Sequence, residues 1–284
     1  SELGFELGPP DGNFGELTQQ AVWAYKKLVM RIPREELEKS QSASLITNET
    51  WLAMQDPLTI SPRRPQDPGK THVEIYLPEQ VLAVYTDNAP VFISHISSGD
   101  GQTWCQLVTY DTDIQGNSLE EPVEKDECGV SITPGGVFRF NRRNEGTRQS
   151  PLGGMYNPVY FNYGIAVHGA RNVPLYPASH GCIRIHMELA DIFPGLVKNG
   201  NRVYVWGQDG REPEVYPSWQ RADLGGDHRE AAPVLAGARR LDRGVQREQV
   251  VWRAIASMVL VSEPISATLL ASSPTSGRAS RTAR

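Results

Sequence analysis

The chain lacks a segment long and apolar enough to cross a membrane as a helix. A span needs roughly 20 predominantly apolar residues, and the best candidate, Val251 to Leu270, is interrupted by Arg253, Glu263 and Pro264. The sequence begins at Ser1 without a basic segment followed by an apolar core. We therefore expect no membrane span, and a signal peptide that was cut away or lies outside this sequence.

Positive charge is not in excess. The 28 lysines and arginines are outnumbered by 33 aspartates and glutamates, which gives a formal net charge of -5. Because nucleic acid is itself a polyanion, this balance argues against a general electrostatic affinity for it. We expect no nucleic-acid partner.

Cysteine is scarce, and its three positions divide into a pair and a single residue. We predict a disulfide between Cys105 and Cys128, which would anchor an acidic, turn-rich stretch from Tyr110 to Glu127. Such a bridge contributes on the order of 3 kcal/mol by chain entropy and is typical of an oxidising compartment. Two unrelated reduced thiols are the alternative. Either way, Cys182 is left as a free thiol.

The first part of the chain, residues 1–60, is predicted to be a small module of three helices. Its longest helix is indicated by apolar residues at helical spacing: Phe14, Leu17, Ala21, Tyr25 and Leu28. Shorter helices are expected at Arg34 to Ser40 and at Glu49 to Gln55, the latter capped by Thr47 or Asn48. Residues 61–70 are rich in proline and have almost no apolar side chains, which predicts an interdomain linker.

Residues 71–207 are predicted to form a mostly-β domain. Alternating or β-branched-rich segments indicate strands at His72 to Leu77, Gln80 to Thr86, Val91 to Ser97, Gly136 to Asn141, Gly164 to His168 and Arg202 to Trp206. One helical pattern, at about Met187 to Val197, interrupts them. Residues 208–284 show little periodicity and are predicted to be a largely disordered tail, so the fold class is α+β with several domains.

The segment from Ile165 to Arg184 combines a thiol with two histidines and several glycines. His168-Gly169 follows an apolar strand, and Ser179-His180-Gly181-Cys182 follows a short loop. A histidine within hydrogen-bond reach would lower the pKa of the Cys182 thiol and accept its proton. The amides of Gly181 and Cys182 are the expected oxyanion donors, since glycine allows close approach of the backbone. A buried structural cysteine and a core histidine are the plainer alternatives.

Zinc binding is the chemical rival to thiol catalysis. His180 and Cys182 have the spacing of residues on one face of a strand, so with His168 or His186 they could bind a metal. Zinc cysteines usually come as Cys-x-x-Cys pairs or with carboxylates nearby, and neither is present. We therefore predict no metal and no organic cofactor, and we assign His72, His95, His186 and His228 surface or structural roles.

These residues resemble the signature of the L,D-transpeptidase catalytic domain, the YkuD-like family. The resemblance covers roughly Thr71 to Gly207 and includes five motifs in the family's order: His72 to Thr86, Ser97-Ser98-Gly99, Thr133 to Phe138, His168-Gly169 and Ser179 to Arg184. It implies a mostly-β sandwich or barrel with one helix near the active site. Gly101 to Val130 stands out as an insertion. Residues 3 to 55 resemble a peptidoglycan-binding module of three helices.

The resemblance implies that Cys182 attacks a peptidoglycan stem tetrapeptide and releases D-alanine. His168 would move the proton, and the carbonyl of Gly169 would orient its ring. An amine on a second stem would resolve the thioester as a 3→3 cross-link, whereas water would make the enzyme an L,D-carboxypeptidase. The family further implies glycan and stem peptides as partners, carbapenems and related β-lactams as inhibitors, and an extracytoplasmic location.

Further candidates for substrate binding flank the two reactive residues. Upstream of His168 lie Met155, Tyr156, Phe161 and Tyr163, whose aromatic members could equally be core or pocket wall. Around the nucleophile lie Ser179, His180 and Arg184. Arg184 would pair with a stem carboxylate or fix the loop through backbone carbonyls.

Two other classes of protein fit the same sequence. A noncatalytic wall-binding protein would use the helices to grip glycan and keep the β domain as a scaffold. A zinc-dependent amidase would require a bound metal and would lose activity to a chelator.

Overall fold

A computed structural model describes residues 3–8, 11–112, 118–150, 152–207 and 213 of the 284-residue chain. The tail predicted for residues 208–284 therefore lies outside the described residues, apart from Pro213. No helix in these ranges is long and apolar enough to span a bilayer.

Three short helices begin the chain, as the sequence predicts. They are α1 (Glu16–Leu28), α2 (Arg34–Lys39) and α3 (Asn48–Ala53). Thr47 caps α3, because its Oγ1 accepts a hydrogen bond from the Thr50 N–H at 3.2 Å. The apolar stripe of α1 is buried from Leu17 to Leu28.

Twelve strands and one further helix make up the rest of the described chain. The strands are β1 (Thr71–Tyr76), β2 (Val81–Thr86), β3 (Ala89–His95), β4 (Thr103–Thr112), β5 (Ser118–Val130), β6 (Gly136–Arg139), β7 (Arg142–Arg143), β8 (Thr147–Ser150), β9 (Gly153–Asn162), β10 (Ile165–Ala170), β11 (Ile183–His186) and β12 (Arg202–Trp206). The helix is α4 (Leu189–Leu196), with Pro194 in its last turn. The predicted mostly-β domain with few helices is confirmed.

The strands form two five-stranded sheets and a separate hairpin. The first sheet has the order β3-β2-β1-β12-β6, with β1 and β12 parallel. The second contains β11-β10-β9-β7, with β8 also paired to β9, and its β10 and β11 are parallel. β4 and β5 pair only with each other. The parallel pair of β1 and β12 lies inside the first sheet, and the parallel pair of β10 and β11 positions the candidate site.

The first sheet is covered on both faces. One face shares a hydrophobic cluster with the second sheet and α4, which includes Val73, Val167 and Phe193. On the other face, Tyr25 and Leu28 of α1 join a second cluster of sheet residues. The described part of the chain is therefore layered as second sheet, first sheet and α1.

The α1 helix does not stand apart from the sheets as the predicted module would. Its apolar stripe packs directly on β2 and β3. The predicted linker is also tied down, because the buried carboxylate of Glu74 accepts hydrogen bonds from the N–H groups of Arg63 (2.9 Å) and Arg64 (2.7 Å). Proline stiffens this segment, while a buried carboxylate satisfies its free amides.

The predicted insertion from Gly101 to Val130 is a long antiparallel hairpin rather than a series of turns. Cys105 lies directly opposite Cys128 in its register, and the two form a disulfide. Nearly every β5 side chain is exposed, whichever face of the hairpin it lies on. Such a strand has no alternation of polar and apolar residues, which is why the sequence did not indicate it.

Candidate active site

The two residues predicted to react lie at neighbouring parallel strands, with His168 on β10 and Cys182 directly before β11. In the register of β10 and β11, His168 is opposite Arg184, and Val167 is opposite Ile183. Cys182 precedes Ile183 by one residue, and side chains alternate along a strand, so Cys182 lies on the same face as His168. His168 is 5% exposed, whereas Cys182 keeps partial access to solvent. The strand register thus puts a buried imidazole and a partly accessible thiol on the same face.

The tautomer of His168 follows from its hydrogen bond. Its Nδ1 lies 2.9 Å from the carbonyl oxygen of Gly169, which can only accept, so Nδ1 carries the proton. Burial, together with the charge of Arg184, lowers the pKa of His168 to about 4, although the Gly169 bond raises it. At neutral pH the ring is uncharged, and its Nε2 is free to accept a proton.

Glycine is required at position 169. A Cβ there would lie 2.8 Å from the Cβ of Ala190 and 3.1 Å from the ring of Tyr156. The backbone of β10 therefore passes close beneath α4, and this close packing orients the carbonyl that holds His168.

The thiol of Cys182 rests against the backbone of the strand turn. Its Sγ donates a weak hydrogen bond to the Gly164 carbonyl at 3.6 Å. Burial raises the thiol pKa, against the lowering effects of the Ala166 N–H and the charge of Arg184. The expectation that a histidine lowers this pKa is wrong for the resting structure, because His168 is itself neutral. The pair is a neutral thiol beside a neutral imidazole.

The loop that carries the predicted nucleophile, residues 171–182 and called the nucleophile loop below, ends in a turn that only glycine fits. Gly181 has φ of +135°, and a Cβ there would lie 2.8 Å from the Ile132 carbonyl oxygen. Its N–H donates to Ser179 Oγ at 3.0 Å. The Gly181 amide, predicted as an oxyanion donor, is therefore engaged in the resting state. The Cys182 N–H makes no backbone hydrogen bond within the described ranges.

Ser179 supports the turn rather than facing a substrate. It is 3% exposed, and its hydroxyl accepts from Gly181 and donates to the Cys182 carbonyl at 2.6 Å. Its own N–H donates to the Ser98 carbonyl at 2.9 Å. The prediction of Ser179 as a substrate-binding residue does not match this geometry, because its hydrogen-bonding groups are satisfied internally.

Arg184 and His180 flank the nucleophile on either side. Arg184 exchanges two backbone hydrogen bonds with Ser97, at 3.0 and 3.1 Å, and its half-buried guanidinium interacts electrostatically with Cys182 and Asp100. His180 is exposed, and its ring packs edge-on against Trp104 of β4 at 5.0 Å. The disulfide-linked hairpin thus reaches the catalytic segment.

The residues upstream of His168 fall into two groups. Tyr156 packs against Gly169 and donates its hydroxyl hydrogen bond to Asp191 of α4 at 2.7 Å, which raises the tyrosine pKa. Met155 precedes it on β9. Phe161 is buried in the core, whereas Tyr163 is exposed at the turn that leads to Gly164. Among these four residues, Tyr156 contacts the glycine that follows His168.

The structure adds a buried polar support that the sequence did not indicate. Thr133 accepts from the Gly99 N–H and donates to the Gly181 carbonyl at 2.7 Å. Gln80, fully buried, exchanges hydrogen bonds with Ser98, whose carbonyl holds the nucleophile loop. Thr133 and Ser98 fall within quoted motifs, but no pattern in the sequence connected them to the loop.

A second support reaches the loop from α1. Lys27, fully buried, donates to the Gln80 carbonyl at 3.0 Å and contacts His95 Nδ1 at 2.8 Å. His95 Nε2 lies 2.9 Å from the Pro174 carbonyl, which can only accept. His95 therefore carries its proton on Nε2 and accepts from Lys27 on Nδ1. Burial lowers the pKa of both groups well below their usual values.

The sequence contained one indication of this support, a lysine among the residues on the apolar face of α1. Lys27 follows Gln20 by seven residues and Ala24 by three, which places it on the same helical face. The structural role predicted for His95 agrees with this position.

The zinc alternative lacks a donor set in the described part of the chain. No three His, Cys, Asp or Glu side chains gather there in a group that could hold a metal ion.

The chain is similar to a known protein family and to solved structures. A family model described as the L,D-transpeptidase catalytic domain (YkuD) matches residues 70–205. The crystal structure of the L,D-transpeptidase from Xylanimonas cellulosilytica DSM 15894 is 30% identical, with a TM-score of 0.55; the match covers 72% of this chain and 87% of that one. An L,D-transpeptidase (Yku) from Stackebrandtia nassauensis is 16% identical, with a TM-score of 0.37 and coverages of 71% and 84%. A search of curated proteins found no match.

Proposed function

The chain belongs to the L,D-transpeptidase family, and from this premise we propose that it forms 3→3 cross-links in peptidoglycan through a thioester on Cys182. The observation that carries the proposal is the neutral His168, whose free Nε2 lies on the same face as the reachable thiol. A neutral imidazole is the form that can accept a thiol proton.

Acylation begins when the thiol leaves the Gly164 carbonyl and gives its proton to His168 Nε2. The sulfur attacks the carbonyl of the third stem residue, and a tetrahedral intermediate forms. When that intermediate collapses, the carbon–nitrogen bond to D-alanine breaks. The leaving amine takes the proton from His168, so D-alanine departs with a balanced proton count and Cys182 is left as a thioester.

The charge on the intermediate's oxygen needs backbone donors. The Cys182 N–H is the nearer candidate, since the Gly181 N–H donates to Ser179 Oγ in the resting structure. Arg184 adds a positive charge beside the sulfur, which favours the thiolate as it develops.

Resolution of the thioester determines the product. A side-chain amine on a second stem gives the 3→3 cross-link, and water gives the hydrolysed tripeptide of an L,D-carboxypeptidase. We propose the amine as the acceptor and keep hydrolysis as a competing outcome that product analysis distinguishes.

The remaining parts of the proposal concern setting and inhibitors. The Cys105–Cys128 disulfide supports an extracytoplasmic location, because such bonds persist in oxidising compartments. Carbapenems offer a strained acyl group to the same thiol and are proposed as inhibitors. Peptidoglycan contact by the N-terminal helices is proposed from their resemblance, with the exposed Trp51 and Leu52 of α3 available to a glycan.

Mass spectrometry of the intact protein tests the acyl-enzyme. The full chain is incubated with a disaccharide-tetrapeptide or with a carbapenem, beside Cys182→Ala and His168→Ala variants of verified melting temperature. The expected result is an adduct on the wild type alone, with release of D-alanine. No adduct on a folded protein with a free thiol would overturn the proposal. Adding a second stem peptide then separates transfer to an amine from hydrolysis.

A further inference from the structure

A groove of about 890 Å³ lies where β6 and β12 of the first sheet approach the end of β9. Its lining includes neither Cys182 nor His168. It does include four arginines, together with two residues at the end of β9: Arg64, Arg139, Arg142, Arg202, Asn162 and Tyr163. In a chain of net negative charge, this concentration of guanidinium groups is a distinct feature.

Three of the four groove arginines donate to neutral partners. Arg139 donates to the Gly200 carbonyl at 2.6 Å, Arg142 to the Tyr163 carbonyl at 3.2 Å, and Arg202 to the Tyr204 hydroxyl at 2.9 Å. No acidic residue is among the described lining residues. Tyr204 is the main cause of the raised pKa of Arg202, and the exposed Asp67 has a smaller effect in the same direction. Because a guanidinium has five N–H donors, these single bonds leave further donors of Arg139, Arg142 and Arg202 for a ligand.

A buried amide in the same groove points independently to a ligand with acceptor groups. Asn162 is 4% exposed, and its Nδ2 has no hydrogen-bond partner among the described residues. An unpaired buried donor is costly, and a ligand oxygen would satisfy it. Tyr163 beside it is 46% exposed and has φ of +42°, so the turn holds its ring outward. An exposed tyrosine ring offers an apolar face and a hydroxyl.

We propose that this groove binds an anionic sugar polymer of the cell envelope through its phosphate or carboxylate groups. Arginine forks pair with either anion, Asn162 donates to a further oxygen, and Tyr163 packs on a sugar ring. The choice of an envelope polymer rests on the proposed function, whereas anion binding does not. The site would keep the enzyme on the wall while Cys182 exchanges its small stem peptides.

Calorimetric titration of the full chain tests the groove directly. The probes are phosphomannan, polygalacturonate and neutral dextran, each at low and at physiological salt. Carrying Cys182→Ala in every sample removes turnover, so binding is measured even if the transpeptidase proposal fails. We expect at least one anionic polymer to bind and dextran not to bind. Binding of one polymer alone identifies phosphate or carboxylate as the anion.

Paired charge variants locate the binding. Arg139→Gln with Arg202→Gln should weaken binding by about tenfold or more, since charge-assisted hydrogen bonds are lost. Arg31→Gln with Lys39→Gln removes the same charge outside the groove and should change affinity by less than about twofold. Equal weakening by both pairs, or no binding of either anionic polymer at low salt, would overturn the proposal.

Discussion

The nucleophile loop is supported on one side by buried hydrogen bonds. On the other side it contacts an exposed hairpin whose two strands are joined by a disulfide. On the inner side, Lys27 and His95 connect α1 to the Pro174 carbonyl. On the outer side, Trp104 of the disulfide-linked hairpin packs on His180. The inner support depends on the protonation of two buried side chains, whereas the outer one includes a disulfide and depends on oxidation.

This difference shows how one loop can be held firmly where it contacts the protein interior and yet keep freedom to move where it contacts the exposed hairpin. Buried hydrogen bonds fail together when one partner is removed, because each orphaned group pays the cost of desolvation. An exposed hairpin can change or open without exposing the core. We therefore expect damage to the inner support to spread, and damage to the outer support to stay local.

Removal of Lys27 should have the largest effect. Lys27→Ala leaves a cavity and deprives His95 Nδ1 of its donor, so we expect a loss of about 4 kcal/mol in the free energy of unfolding. Urea unfolding measures this loss, with exposed Lys39→Ala as the matched control at under about 0.5 kcal/mol. Hydrogen exchange should rise at Ser98 and at residues 174–182 as well as in α1. If Lys27→Ala lowered the free energy of unfolding by no more than Lys39→Ala does, the proposed role of Lys27 in supporting the loop would be wrong.

Removal of the disulfide should cost less and stay confined. Cys105→Ser with Cys128→Ser releases a loop closed over a sequence separation of 23, which corresponds to about 3 kcal/mol in the chain-entropy model. Because the hairpin pairs with neither sheet, we expect faster exchange in residues 103–130 and unchanged protection in α1. Faster exchange throughout β10 and β11 would contradict the separation of the two supports.

The pH dependence of stability should distinguish the two supports further. The pKa of Lys27 is lowered in the folded protein, so the unfolded chain binds more protons and stability rises with pH below the unfolded value near 10.5. The slope is at most about 1.4 kcal/mol per pH unit. Unfolding at pH 7, 8 and 9 should show this rise in the wild type and in the disulfide variant, and a flatter profile in Lys27→Ala. Identical profiles in all three proteins would exclude a neutral buried Lys27.

The aromatic contact at the rim should have the smallest effect. Trp104→Ala removes an edge-to-face pair with His180, and such pairs contribute about 0.5–1.5 kcal/mol. Thermal unfolding measures the change, with Trp51→Ala, which is 58% exposed, as the control. A loss as large as that of Lys27→Ala would show that the hairpin belongs to the core of the loop's support.

The sequence predicted the parts of the fold and site that rest on local patterns. Alternation indicated β1, β2 and β12, and the spacing of His168 and Cys182 led to the prediction that they act together. Predictions failed where long-range contacts decide the outcome. The exposed β5 has no alternation, the pKa of Cys182 depends on burial, and Ser179 turned inward to satisfy Gly181. No local sequence pattern predicts which carbonyl oxygen accepts the hydrogen bond of the buried Lys27.

The place of β12 in the first sheet has a consequence for the order of folding. β12 is the last described strand in sequence, yet it lies inside the sheet, parallel to β1 and antiparallel to β6. Pairing Val73 with Val203 joins residues 130 positions apart, a contact of high sequence separation that forms slowly. During synthesis, β1 and β6 must wait for β12, the last of the described strands to emerge. The sheet that supports the nucleophile loop is thus completed only when Trp206 has been made.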